Sequence, residues 1–466
     1  MYPTVRLIFV SVLFALSTTI FAYQRPEPKW SDIGLTSEMQ DVNYWLKRAP
    51  NGDKQLLSAT YIETRNKLLL RTEPSMVYWP TWPDSLSAEE IRKRIQILSK
   101  RPTQPLFKTT DVAISESDID VWMENLNLDQ IKPSNNQWFG MVVIRASLRR
   151  FPTKQRAFDQ KGGVDIDRLQ ESAVFPGTPL AVLHESRDKK WLFVQSENYA
   201  AWISAEALAV APRDTVMAFA SKQPRRYITG SQVRTVFHPY AKDISELSLD
   251  MGASFPIITN WPLSEPVNGQ GSLGSWIIEF PVRSNAGILQ FKPVLIPRSA
   301  DSAPAPLPVS HANIIQQSFK FIGERYGWGH DYNARDCSGF VSEIYNSMGI
   351  LLPRNTSDQA KSSVFDRDVF GAELTQAMRI ERAKQLHVGD MVFIPGHVML
   401  VIGHDEQGPW VIHDSHKTGF IVNGDYHAFP TNAVAVTPLL NMALGQEKLV
   451  VDAITAVQHI IPRQNP

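Results

Sequence analysis

Among 466 residues there is one cysteine, Cys337. A disulfide framework within the chain is therefore impossible, and a thiolate-rich zinc site is excluded. An excess of one charge is lacking too. The chain carries 47 Lys and Arg against 47 Asp and Glu, which argues against a dedicated nucleic-acid surface, because neutralising phosphates takes clustered basic side chains. Long apolar runs are scarce. The strongest, Leu7 to Phe21, follows Arg6 and precedes Ala22, and it falls short of the ~20 residues that span a bilayer. It reads as the charged start, greasy core and small cleavage residue of an export signal over residues 1–22. No later cysteine is placed to carry a lipid. The mature chain is expected outside the cytoplasm, periplasmic or cell-wall associated or secreted, monomeric and without a stable membrane anchor.

The chain is too long for one core, so several domains are expected. Residues 23–135 are polar and helical in pattern. Ser87-Ala-Glu-Glu90 is a capping box ahead of Ile91, Ile95 and Leu98. Tyr61, Leu68 and Leu69 mark a second helix, and Trp122, Met123 and Leu126 a third. Over 136–213 the texture changes to short β-type runs, Met141–Ile144, Leu180–Leu183, Trp191–Val194 and Ala201–Ile203, separated by turns. That density predicts a small barrel. Residues 214–297 repeat the theme more loosely, with Phe255–Ile258 and Trp276–Phe280 as echoes, and predict a second, diverged barrel. Trp191, Trp202 and Trp276 are expected in these cores. The Pro-rich stretch 298–309 predicts an extended linker. Residues 310–466 then form the last unit, entered by an amphipathic helix bearing Ile315, Phe319 and Ile322.

An unpaired thiol in an oxidising compartment is a liability unless it has a task. Cys337 stands where a helix should begin, after a Gly, Asp and Asn-rich run and before Val341, Ile344 and Met348 at helical spacing, with Gly349 as the stop. Helix-start N–H groups favour a thiolate, and such sites lower a thiol pKa from ~8.5 to roughly 3.5–7.5. Cys337 is therefore expected to be a nucleophile, with a buried inert thiol as the alternative.

A thiolate nucleophile needs a proton acceptor and a polar group to orient it. Of 11 histidines, two stand out. His397 opens an alternating strand that it shares with Met399 and Val401, and the chain returns through Trp410-Val-Ile-His413. If that hairpin pairs His397 with His413, base and orienter are neighbours on one face. A one-residue slip would separate them. His404 and His416 fall in loops, and no short-spaced metal motif is present, so no metal is expected.

These residues carry a resemblance. The strings Tyr326-Gly-Trp-Gly, Arg335-Asp-Cys337-Ser-Gly-Phe, Leu352-Pro-Arg354-Asn-Thr-Ser-Asp-Gln359, Val388-Gly-Asp390-Met-Val-Phe and His397-Val-Met-Leu-Val-Ile-Gly with Val411-Ile-His413 resemble, in that order over about 310–440, the NlpC-type papain-like peptidases of bacterial cell walls. The run Arg145 to Val194 is similar to the bacterial SH3-like domains attached to such enzymes. The resemblance implies an α+β papain-like peptidase domain at the carboxy terminus, preceded by two small SH3-like β-barrels and a mainly helical stabilising region. It implies Cys337 as nucleophile, His397 as base and His413 as third polar residue, with Tyr326, Asp336 and Ser338 shaping the substrate pocket and Asp336 placed to bind an amine. Peptidoglycan stem peptides would be the partner and substrate, cut between D-glutamate and the diamino acid without a cofactor, often with a free N-terminal L-alanine required. Acyl transfer from the same site, or an inactive wall-binding protein, are the alternatives. Two departures stand out: extra residues between His397 and His413, expected to bulge in the turn, and His330 where a second glycine is familiar.

Overall fold

The structure, a computed structural model, describes residues 29–49 and 51–463, and the stretch read as an export signal, residues 1–22, lies outside them. Among the described residues no helix is long and apolar enough to cross a membrane.

Helices form where caps and apolar periodicity coincide. Ser87 Oγ accepts from the Glu90 N–H and the Glu90 carboxylate accepts from the Ser87 N–H, and this reciprocal cap starts Ala88–Leu98 with Ile91 and Ile95 buried. Ser58 caps Ala59–Thr72, and Ser115 caps Glu116–Asn125. These helices share no core of their own. Ile91, Ile95 and Trp122 join the core of the β-rich part, whereas Trp45, Leu57 and Leu69 join that of the carboxy-terminal domain. The single stabilising region expected from the sequence divides between two cores.

Seven strands make one antiparallel sheet in the spatial order Gln170–Val174, Ala146–Arg149, Ala200–Ser204, Trp191–Gln195, Pro179–Glu185, Trp138–Val142, Leu208–Ala211. Successive side chains point to opposite faces. Leu180 and Val182 meet Val194 and Ile203 inside, while Ala181 and Leu183 face the cluster of Ile95 and Trp122. Both faces are buried, which is why the strands read as unbroken apolar runs.

The next β-rich stretch is built differently. Its strands fall into three small sheets: Arg225–Ile228 between Ser254–Pro256 and Ser302–Ala303, Gln232–Arg234 with Ser248–Asp250, and the hairpin Ser275–Arg283 with Leu289–Pro297. Trp191 and Trp202 are core residues as expected. Trp276 is not: it is half-buried between the guanidinium groups of Arg226 and Arg298, 4.2 and 4.0 Å from its ring. The Pro-rich stretch is no free spacer either. Ser302 and Ala303 pair with Ile228 and Tyr227, and the Leu307 N–H donates to the Ser347 carbonyl.

The carboxy-terminal domain is a six-stranded antiparallel sheet in the order Asp366–Val369, Ala456–His459, Asp390–Ile394, His397–Asp405, Gly408–Ser415, Ala433–Pro438. On one face Val398, Leu400, Ile402 and Ile412 pack against Ile315, Phe340 and Ile344 from the helices His311–Phe319 and Cys337–Asn346. On the other, Met399, Val401 and Val411 pack against Phe420, Leu439 and Val451.

Candidate active site

Cys337 is the first residue of its helix, and Asp336 is the N-cap, its Oδ1 accepting from the Gly339 N–H at 2.8 Å. Val341, Ile344 and Met348 follow into the same core as the sulfur. The thiol is 5 % exposed, with Thr356 Oγ1 at 3.8 Å and the Val398 backbone N–H directed at it. Burial, reinforced by the Asp336 charge, pushes the thiol up to about 12, against the smaller opposing pull of those two donors. The expectation of a dipole-lowered thiol is corrected on this point. The carboxylate that caps the helix places a full negative charge where the helix offers only a partial positive one.

The two histidines meet, by a route the sequence does not spell out. His397 Nε2 lies 2.8 Å from His413 Nδ1. They are not a cross-strand pair. Near the turn the ladder pairs Asp405 with Gly408 and Gly403 with Trp410, and beyond a bulge it pairs Val401 with Val411 and Leu400 with Ile412. Continued without the bulge, the first register would set His413 opposite Leu400, on the face away from His397. With it, His413 lies opposite Met399, and His397 is its diagonal neighbour on the same face. The turn expected to bulge is tight, with Glu406 and Gln407 alone between the strands, and the one unpaired residue is Ile402, inside the strand. Trp45 seats beside it, so close that a Cβ on Gly403 would come within 2.6 Å of the indole.

His413 is buried, and its Nε2 lies 3.0 Å from Thr437 Oγ1. Burial lowers the pKa of His397 to about 4, against a smaller upward pull from Asp336, and pushes that of His413 well down. Both rings are neutral at neutral pH. His404 and His416 stand apart, bonded to the Leu386 carbonyl and to Asp165.

Asp336 and Ser338 belong to a buried ionic net. Arg354 Nη2 donates to Asp336 Oδ2 at 2.7 Å, its Nη1 to Ser338 Oγ at 2.8 Å, and its Nε to Ser172 Oγ of the first sheet at 2.6 Å. The same Arg354 donates to His330 Nδ1, and His330 Nε2 faces Glu343 at 3.2 Å. Glu343 also binds Arg335, which reaches Asp250 at 2.8 Å. Burial alone would raise the Asp336 carboxyl, but Arg354 first and His330 next bring it down to about 2. With both oxygens engaged, Asp336 is not a free receptor for an amine. Tyr326 lines the same place: it is buried, and its hydroxyl is held protonated by burial, with the Asp336 charge adding to it.

Several site residues escape sequence reasoning. Arg354 is visible only as part of the string Leu352 to Gln359, and nothing in that string announces its ion pair. Glu171 accepts from the Tyr199 hydroxyl at 2.6 Å, and burial raises its carboxyl although Arg354 lies within electrostatic reach. Asp414, next to His413, is buried with both oxygens unpartnered among the described residues, and its carboxyl is pushed well up by burial. The loop before Cys337 is clamped by the first sheet as well. Gln170 and Gly329 are joined at 2.8 Å, Trp328 Nε1 donates to the Gln170 carbonyl, and Arg156 pairs with Asp331. Among the described residues no group of His, Cys, Asp or Glu is arranged to hold a metal.

Residues 323–434 match the NlpC/P60 family, and residues 155–204 match an SH3 domain of the SH3b1 type. A curated relative, a probable endopeptidase of Corynebacterium glutamicum (strain R), is 30% identical over 95 residues, which are 20% of this chain and 44% of that protein. The chain thus spans less than half the length of this relative. A solved NlpC/P60 endopeptidase from Photobacterium damselae subsp. piscicida superposes with a TM-score of 0.71 at 17% identity, over 91% of this chain and 97% of that one, which shows a shared fold. The chain therefore carries an NlpC/P60 family domain at its carboxy-terminal end, with an SH3 domain of the SH3b1 type ahead of it.

Proposed function

We propose that this protein is an exported cysteine peptidase that hydrolyses the bond between γ-D-glutamate and the diamino acid of peptidoglycan stem peptides. The observation that carries the reading is the 2.8 Å contact between His397 Nε2 and His413 Nδ1 on the strand whose Val398 N–H meets the Cys337 sulfur. If His397 Nε2 holds its proton and donates it to His413, His397 Nδ1 is the free base, and His413 Nε2–H donates to Thr437 Oγ1. The resting pair is thiol and neutral imidazole. His397 takes the thiol proton as the sulfur attacks the γ-glutamyl carbonyl, and the Asp336 charge favours the imidazolium that forms. That imidazolium protonates the departing amine. The thioester is then cleaved by water, which His397 deprotonates in turn.

The first sheet narrows the substrate's approach. Glu171 and Tyr199 stand beside Arg354 and Asp336, and with Asp336 already paired, Glu171 is the carboxylate that suits a free N-terminal ammonium of an L-alanine end. The test is to incubate the full chain with the free stem tripeptide, its N-acetylated form and intact sacculi, and to resolve products by mass spectrometry. Release of free diamino acid from the first alone is the expected result. Only amine-transfer products would make the protein an acyltransferase, and no covalent turnover would leave a wall-binding protein.

A further inference from the structure

Where the two β-rich parts meet the carboxy-terminal domain there is a cavity of about 510 Å³. Phe175 and Glu197 wall it from the first sheet, Met217 and Met251 from the middle of the chain, and Ile350 and Leu351 from the catalytic domain. Cys337, His397 and His413 are not among its walls. The Cys337 helix turns Gly339, Ser342, Glu343 and Asn346 toward it, and at 3.6 residues per turn these lie opposite the stripe of Cys337, Val341, Ile344 and Met348. Its volume is in the range of small-molecule sites, roughly 300–1,000 Å³.

The charges around it are committed, with one exception. Arg225 spends its guanidinium on Ser254 and the Phe219 carbonyl. Arg354 is held by Asp336, Ser338 and Ser172, and Glu343 by Arg335 and His330. Glu197 has no hydrogen bond or ion pair for its carboxyl among the described residues. It is half-buried on the cavity wall, and the protein packed around it pushes the carboxyl up to about 7. A half-buried acid without a partner bears part of the desolvation cost in its charged form, and a ligand ammonium would offset that cost.

We infer that this cavity is a binding site for a small organic cation, one ammonium group on an apolar body, with Glu197 as the counter-ion and Met217, Met251 and Leu351 around the apolar part. The inference does not depend on the peptidase reading, and its test reads binding alone. The full chain, its Cys337 first alkylated to block the catalytic cleft, is titrated calorimetrically with n-hexylammonium and with uncharged 1-hexanol. One saturable site for the amine is expected, at least about tenfold weaker for hexanol and for Glu197→Gln, the effect of losing one charge-assisted bond. Ala253→Phe, which fills the cavity without touching a charge, is expected to lose binding as well, whereas Glu171→Gln is expected to keep it. No saturable binding, equal binding of amine and alcohol, or loss in Glu171→Gln but not in Glu197→Gln would overturn the assignment.

Discussion

Two walls flank Cys337, and they are built on opposite plans. On one side stand two neutral histidines, joined to each other by one bond and to Thr437 by another. On the other, Arg354, Asp336, Glu343, Arg335 and Asp250 form a charged net in which Asp336 alone engages Arg354, Ser338 and the N–H groups of Gly329 and Gly339. The sparse wall holds two imidazoles in which, among the described residues, each ring nitrogen has at most one partner, and in the proposed reaction His397 is the one that must gain and lose a proton. The dense wall holds groups that must not move. It fixes the helix start and the loop ahead of it, and it ties that loop to both β-rich parts.

Damage to activity should be greatest on the sparse side. Cys337→Ser and His397→Ala should each lower kcat/KM for stem tripeptide by about 10³-fold or more, with the thermal melt near that of the parent, since losing any member of a nucleophile–base pair costs on this scale. On the dense side the damage should appear in stability. Arg354→Met strands Asp336 as a buried charge, and urea unfolding is expected to show a loss of about 3–5 kcal/mol, of which Arg354→Met combined with Asp336→Asn, which keeps the cap acceptor, regains a part. If the double variant were as unstable as the single one, the net would be contributing packing rather than charge compensation.

Much of this is legible in the sequence. Cys337 at a helix start, the capped helix after Ser87 and the alternating strand from His397 are local patterns, and local patterns survive into the fold. What stayed hidden is non-local. The bulge at Ile402 lies against Trp45, hundreds of residues away, and without the bulge the two histidines would face apart. The raised thiol depends on how deeply the sulfur is covered, which helix periodicity does not report. The middle of the chain shows the same limit. Its strands were visible in composition, but the three small sheets they enter follow from pairings that no single run encodes.

Acid should act on the sparse wall first. His397 is neutral in the fold with its pKa brought down to about 4, so between the unfolded value of about 6.5 and 4 the unfolded chain binds the extra proton and stability falls as pH drops. Asp336, held at about 2, keeps its contribution through that window and loses it only as pH falls from the unfolded value near 3.8 through 2. His459 has the opposite sign. Against the pull of burial, Asp390 and Asp368 raise it, so it stabilises at low pH and its contribution is lost as pH rises through its folded pKa. Carboxyls raised in the fold, Glu197, Glu171 and Asp414 among them, work in the opposite direction, so the test is the difference: from pH 7 to 4 the urea midpoint of the parent should lose ground to that of His397→Gln. An identical pH dependence in both would remove His397 as the source.

Thr437 marks the far end of the sparse wall. Thr437 touches neither sulfur nor substrate in this arrangement: its hydroxyl lies 3.0 Å from His413 Nε2 and 3.3 Å from Met442 Sδ, at a fully buried position. Thr437→Val keeps the shape and deletes the acceptor, which frees His413 to turn or to change tautomer while His397 remains in place. The expected cost is about 1 kcal/mol in kcat, a several-fold loss with KM unchanged, because one neutral hydrogen bond is at stake. Its signature should be a pH–rate profile whose acidic limb shifts, since the proton of His397 is then shared with a less ordered partner. A change confined to thermal stability, with kcat and profile intact, would mean that Thr437 only fills space and that the orienting chain ends at His413.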